Sequence, residues 1–376
     1  MLSLYIHIPY CVRKCPYCGF YSTRYTPESA DEFLAALRSE AAAYQNEFGE
    51  LILQSVYIGG GTPTVLSPGQ IERLGDIIAE QFSVSESSEF TVEANPNTVS
   101  ERNLSAWREI GANRLSLGVQ SFSDDVLCIL GRLHTAGQAA AAFHLARYAG
   151  FPAIGLDLIY GVPGQTMQQW KATLETTILH RPEHLSVYSL SIDDGSLFKR
   201  ELEAGRFTAP EDDMAADMYE SAAAMLVGAG YRRYEISNFA LPGFECRHNL
   251  NYWERGEYLG LGPAAWSFVR GRRYYNIADS AEYSRRMAAG VSAVEGSEVP
   301  GQDQASRETL MLSLRTMRGL DLDRYRREYG PRTAGRLEAA MVPLQAAGLL
   351  QVHDGRVTLS ERGILLSNEA LSRLSA

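Results

Sequence analysis

Six short apolar runs punctuate the first 190 residues, at 3–8, 56–58, 90–93, 114–121, 154–160 and 184–190. Polar or glycine-rich turns and stretches of helical periodicity separate them, the first helix from 27 to 48 and others starting near Ser67-Pro68 and at Ser100. Near-continuous apolar strands alternating with helices predict a parallel sheet covered on both faces. An open doubly wound sheet and a TIM-type barrel both satisfy that pattern, and the polar motifs choose between them. The cysteines, a triple glycine, Glu93, Gln120 and the Gly161-Val162-Pro163-Gly164 turn fall at or just past the C-terminal ends of different strands. A barrel builds its site from many strand ends in this way, whereas an open sheet gathers its site at one switch point. The expectation is an α/β fold, an incomplete (β/α)6 TIM-type barrel, over residues 1–200.

Past residue 200 the rhythm changes. A helical stretch at 211–227, a strand plus loop at 231–239 and an aromatic, glycine-rich section at 246–275 predict a barrel extension over 201–300. From about Ser306 the chain is helical again, and 349–359 reads as a two-stranded wing after a helix. Residues 301–376 are therefore expected to form a C-terminal α+β, winged-helix-like domain. Arginines barely outnumber acids there, which favours a lid or interaction surface over DNA reading. A net charge of −10 likewise makes an extended phosphate backbone a poor main partner. No apolar run approaches the ~20 residues of a membrane span. The chain starts directly on a strand-like run with no basic leader, and only three of its five cysteines cluster, so a reduced, cytoplasmic protein is expected.

The clustered cysteines carry the first chemistry. Cys11, Cys15 and Cys18 stand in a Cys-x3-Cys-x2-Cys spacing. Structural zinc takes four N or S ligands, and only His7 lies near enough to be a fourth. A disulfide leaves one cysteine over. A [4Fe–4S] cube normally takes one cysteine per iron, so three leave one iron open to an external ligand. The spacing therefore favours an iron–sulfur cluster over zinc, and one suited to chemistry. The loop Gly59-Gly60-Gly61-Thr62 is no phosphate cradle, because no Gly-Lys-Ser/Thr follows and Thr62-Pro63 spoils a helix start.

Beside the cysteines stand Tyr5-Ile6-His7-Ile8-Pro9 and the segments 59–64, 118–122, 157–166 and 234–240. With these the chain resembles, over essentially its full length, the radical S-adenosylmethionine (SAM) enzymes, and within them the coproporphyrinogen dehydrogenase/HemW group. The resemblance implies that SAM chelates the open iron through its methionine amine and carboxylate. It also implies that cluster reduction cleaves SAM to a 5′-deoxyadenosyl radical. Gly60, Gly61 and Thr62 would meet the methionine part, where a missing Cβ lets backbone come close. Glu93, Gln120, Arg132 and Asp157 match positions that hold SAM, the arginine pairing with a carboxylate and the acids accepting from hydroxyls or the amine. Tyr17 would pack on the adenine and Tyr5 would hydrogen-bond the cofactor.

Two departures point to a branch. Coproporphyrinogen III dehydrogenases carry a fourth cysteine where Phe20 stands here, and a substantial arm before the cluster, whereas Cys11 comes almost at once. Both fit HemW-type haem chaperones, which the resemblance implies retain the cluster and SAM but bind and hand over haem. Their His-Asn-x-x-Tyr-Trp motif is His248-Asn249-Leu250-Asn251-Tyr252-Trp253 here. His248 would be an axial iron ligand, Tyr252 and Trp253 would line the macrocycle, and Arg247 would pair with a propionate. A hydrogen-bonded loop histidine with packing aromatics is the alternative for this motif, and Cys246 is a second candidate ligand. A histidine often found near Trp266 in the family is missing. The expected ligands are a [4Fe–4S] cluster, SAM and haem, with haem-accepting proteins as partners and a homodimer as one option. The competing function is oxidative decarboxylation of two coproporphyrinogen III propionates to vinyl groups, so whether the chain is an enzyme stays open.

Overall fold

The computed structural model describes residues 2–192, 196–205, 208 and 212–375. Six strands, β1 (Leu2–Ile8), β2 (Ile52–Gly60), β3 (Ser83–Ala94), β4 (Arg114–Gln120), β5 (Ala153–Tyr160) and β6 (His184–Ser189), lie side by side in chain order, all parallel. Between them run α1 (Pro27–Phe48), α2 (Pro68–Gln81), α3 (Glu101–Glu109), α4 (Asp124–Ile129), α5 (Ala136–Tyr148) and α6 (Met167–His180). Local chemistry fixes where helices begin. Thr26, Ser67, Ser100, Thr135 and Thr166 each cap a helix, their side chains accepting from the amide three places on and their own amides donating to that residue's side chain, and proline follows two of them. β3 extends well before the expected 90–93. Its serine-rich start lacks an apolar signature, yet Ser88 is buried and donates to the Leu53 carbonyl at 2.8 Å.

The sheet continues at both sides. Beyond β6 come β7 (Arg232–Arg233) and β8 (Asn238–Ala240), both antiparallel. On the other side β9 (Tyr258–Leu261) joins β1 in parallel, followed by antiparallel β10 (Trp266–Val269), β11 (Arg272–Asn276) and β12 (Val294–Glu298). The resulting order is β12-β11-β10-β9-β1-β2-β3-β4-β5-β6-β8-β7. Among the described residues β7 and β12 do not pair with each other, so the barrel remains incomplete, as the pattern predicts.

Helices α7 (Leu197–Glu203) and α8 (Asp212–Gly228) follow β6. Position 211, where the helical stretch was expected to start, lies outside the described residues. Trp170 is fully buried and its indole N–H donates to the Met218 carbonyl at 2.8 Å, docking α8 on α6. Two more helices, α9 (Arg247–Trp253) and α10 (Ser280–Ala288), belong to the extension. A single buried carboxylate ties that extension to α1. Glu40 accepts from Tyr283 Oη at 2.6 Å, the Gly262 amide at 2.9 Å and Asn276 Nδ2 at 2.5 Å. Burial pushes its pKa up to about 7, and the three donors only partly oppose that rise.

From Gln302 onward a smaller assembly appears, with α11 (Gln302–Ser313), α12 (Leu322–Tyr329), α13 (Pro331–Ala346) and a three-stranded sheet of β13 (Leu320–Asp321), β14 (Leu350–His353) and β15 (Arg356–Leu359). Its hairpin turns at Asp354 and Gly355, both at positive φ, as a two-residue turn between twisted strands demands. This is the expected wing, with a third strand added. Among the described residues no helix is long and apolar enough to cross a membrane.

Candidate functional site

Side chains alternate along a strand, so polar residues at every second position share one face. Tyr5, Tyr57, Thr91 and Arg114 are successive neighbours across β1 to β4, with Glu93 beside Ser116 and Asp157 beside Ser186 nearer the C-terminal ends. All of them except Tyr5 wall a cavity of about 510 Å³. Its lining holds Cys11, Cys15, Tyr17, Cys18, Gly60, Gly61, Thr62, Glu93, Gln120, Arg132 and Asp157. Of the residues singled out from the sequence, Tyr5, Arg247, His248, Tyr252 and Trp253 are not among its lining.

The cysteine loop is pinned at both ends. Residues 10–11 pair in parallel with 23–24, and the Tyr25 amide donates to the Cys11 carbonyl at 3.1 Å. Within the loop the Cys18 amide donates to Cys15 at 3.1 Å. The glycine run lets this loop approach β2. A Cβ on Gly61 would fall on the Tyr10 carbonyl, and one on Gly60 would stand 2.6 Å from the His7 ring, with φ at +105° as a second obstacle. The expected donation of these amides to a ligand meets a competing arrangement. Gly60 N–H donates to Glu93 Oε2 at 3.1 Å, Gly61 N–H to the Ile8 carbonyl at 2.8 Å and Thr62 N–H to Tyr10 at 2.7 Å.

The thiols sit in a polar setting. Cys11 Sγ lies 3.5 Å from Thr62 Oγ1, and Arg132 Nη1 reaches Cys15 Sγ at 3.3 Å and Tyr17 Oη at 3.4 Å. Burial raises the Cys18 pKa, and the neighbouring Cys15 and Cys11 raise it further. Among the described residues no three His, Cys, Asp or Glu side chains stand close enough together to hold a single metal ion. Three thiols around one cavity suit a cluster that takes one thiolate per iron.

The wall above them is electrically tense. Tyr57 Oη donates to Glu93 Oε1 at 2.7 Å, and burial followed by the nearby Asp157 pushes the Glu93 carboxyl up to about 7. Asp157 accepts from Ser116 Oγ at 3.0 Å on both oxygens, and burial raises its pKa as well. Several wall atoms have no partner among the described residues: Thr91 Oγ1, Asn95 Oδ1, Arg114 Nη2 and Arg132 Nε. Orphaned polar atoms in a native wall call for an occupant. Mixed donors, acceptors and carboxylates fit a zwitterion with hydroxyls such as SAM.

Tyr5 and His248 lie outside the lining, each against Tyr57. Tyr5 Oη bonds His7 Nδ1 at 3.0 Å, and its ring stacks on Tyr57 at 6.2 Å. His248 sits on α9, whose N-terminus enters the floor of the sheet's inner face. Glu89 caps that helix, accepting from the Arg247 and His248 amides at 3.0 Å each and from Cys246 Sγ at 3.3 Å. The His248 ring is 1% exposed, with Nδ1 bonded to Ser55 Oγ at 2.9 Å and Nε2 to Tyr252 Oη at 3.0 Å. Burial lowers its pKa to about 3, so it is neutral. The histidine is hydrogen-bonded as the alternative reading anticipates, but in a buried helix rather than a loop.

Tyr57, Thr91, Arg114, Ser116 and Ser186 also line the cavity and were not anticipated. The available signal was polar residues at alternate positions inside apolar runs, as in Arg114-Leu115-Ser116-Leu117. Asn249 and Cys246 of the motif region face the cavity, whereas His248 does not.

Comparison with known proteins gives consistent matches. The Radical SAM superfamily matches residues 5–177 and the HemN C-terminal domain matches 302–366. The chain is similar to the haem chaperone HemW of Bacillus subtilis (strain 168), 37% identical over 371 residues and 98% of each chain. HemW of Mycobacterium tuberculosis (strain ATCC 25618 / H37Rv) is 35% identical over 377 residues, 99% of this chain and 94% of the relative. Among solved structures, the radical SAM coproporphyrinogen III oxidase HemN of Escherichia coli superposes with a TM-score of 0.87 at 26% identity, covering 100% of this chain and 90% of the other.

Proposed function

Because the chain belongs to the HemW family within the radical SAM superfamily, we propose that it binds haem and delivers it to haem proteins, carrying a [4Fe–4S] cluster and SAM. Full-length likeness to HemW carries this reading, since it includes both the cluster region and the C-terminal domain. Cys11, Cys15 and Cys18 would hold the cluster. When bound, cluster and SAM supply one-electron reductive cleavage. Arg132, Glu93, Asp157 and Gln120 would orient SAM through charge-assisted bonds. Arg132 is already aimed by Gly118 O at 2.8 Å, and Ser116 holds Asp157 in place. Residues 1–200 would house cluster and SAM, 201–300 the haem region, and 301–376 the surface that meets acceptors or a second copy. The reading places the protein in the cytoplasm.

An axial role for His248 belongs to a different state of α9. Its Nε2 would have to leave Tyr252, and the helix would have to leave Ser55 and Glu89. The test of the whole reading is anaerobic. Protein shown to hold its cluster is given SAM, a strong reductant and coproporphyrinogen III, and separately titrated with haemin. Haem binding without decarboxylated product is the expected outcome. Multiple-turnover formation of the divinyl product would replace the chaperone reading with the oxidase.

A further inference from the structure

The mouth of the cavity has a chemistry that the SAM site does not use. Phe20 lines it and is 67% exposed, an unusual position for a phenylalanine. Arg13 and Lys14, on the same loop, also line the mouth and face solvent. Arg13 Nη2 donates to the Gly131 carbonyl at 2.5 Å, which holds the guanidinium at the rim. Exposed apolar side chains continue on the elements around it. Ile129 and Leu133 flank Gly131, and Leu197 starts α7, whose Phe198 amide donates to the Pro16 carbonyl at 3.2 Å.

Charge is balanced deep in the cavity and positive at its mouth. Deep on the wall the carboxylates Glu93 and Asp157 are offset by Arg114 and Arg132, while the mouth carries the two outward cations Arg13 and Lys14 and, among the described residues, no carboxylate side chain of the lining. In a chain of net charge −10 this is a local reversal. An apolar rim with adjacent cations matches a flat amphipathic molecule with a broad apolar face and two carboxylates at one edge. Haem has that form. His248 is sealed outside the lining, so the mouth is the surface accessible in this state.

We propose that haem docks at the mouth of the cavity, its face on Phe20 and its propionates toward Arg13 and Lys14, while α9 is seated and His248 is closed off. This rests on the haem-chaperone reading. A shallow platform suits a carrier that must release its cargo, since little has to rearrange on handover.

The experiment titrates haemin into cluster-loaded full-length protein, wild type and three variants: Phe20→Ala, Arg13→Glu/Lys14→Glu and His248→Ala. All mouth positions are exposed, so the fold should survive, and iron content verifies the cluster. Phe20→Ala should weaken binding about tenfold. The charge-reversed variant should weaken it several-fold at low salt, with the difference shrinking at high salt. Haemin with both propionates esterified should bind the wild type and the charge-reversed variant alike. His248→Ala should weaken binding less than Phe20→Ala does. If both mouth variants bind as wild type while His248→Ala loses haem, the proposal is overturned and α9 opens on binding. Absence of haem binding by the wild type would instead remove the chaperone reading itself.

Discussion

The floor and the wall of the sheet's inner face are both buried and polar, yet they are finished to different degrees. At the floor, Glu89 accepts three donors and both His248 nitrogens are bonded. On the wall, Thr91, Asn95, Arg114 and Arg132 each keep an atom without a partner among the described residues. Polar burial costs little when every group is paired and much when one is not. The floor therefore reads as a fastening and the wall as a receptacle. The contrast explains why the most conspicuous histidine of the sequence is not where a ligand would first arrive.

The largest test of the contrast is on the wall side. Cys15→Ser should abolish cluster assembly, seen as loss of the broad visible iron–sulfur absorbance and of labile iron; retained absorbance would sink the assignment. On the floor side, Glu89→Ala should cost roughly 3–5 kcal/mol in urea unfolding, because it uncaps α9 and leaves buried Arg114, 4.0 Å away, without its nearest acid. A loss under about 1 kcal/mol would mean α9 is not fastened by this residue.

Two carboxylates carry the comparison into pH. Glu40 is shut in by three donors, whereas Glu93 faces the cavity, and burial raises both to about 7. For a carboxyl whose folded pKa is raised, the stabilisation is full below its ordinary value of about 4.5 and is lost as pH rises through about 7. For Glu40 the rise corresponds to on the order of 3 kcal/mol. Unfolding free energy should thus fall between about pH 4.5 and about pH 7 and level off above, and Glu40→Gln should flatten that slope. Glu93→Gln should flatten it less, since water in the cavity screens the wall carboxyl. Equal effects would erase the distinction between closed and open sites. The smallest change is Tyr252→Phe, expected to cost about 1 kcal/mol for one lost hydrogen bond. It also frees His248 Nε2, so a rise in haem affinity would show that the imidazole is a ligand once released.

Much of this architecture was legible beforehand. The six apolar runs and the Ser/Thr caps gave the parallel core, because strand burial and helix capping are local signals. The cysteine loop and the glycine run stand out by their spacing, and Glu93, Gln120, Arg132 and Asp157 could be named because they match positions of the family that the chain resembles. Tyr57, Thr91 and Arg114 could not, since register between strands distant in sequence decides which alternate residues share a cavity. The same limit applies to His248. Its motif is visible in sequence, but its partners Ser55 and Glu89 lie more than 150 positions away.

The bolt at Glu40 has a consequence for the order in which the protein matures. β1 and the cysteine loop leave the ribosome long before their partners, since β1 is flanked by β9, and α1 is held by Asn276 and Tyr283, 236 and 243 positions after Glu40. A chain that begins folding from its N-terminus must hold this region unfinished for most of its synthesis. Thiols meant for iron are exposed during that interval with no completed cavity around them. Cluster delivery is thus expected to follow chain completion, and truncations that end before residue 276 should accumulate without iron.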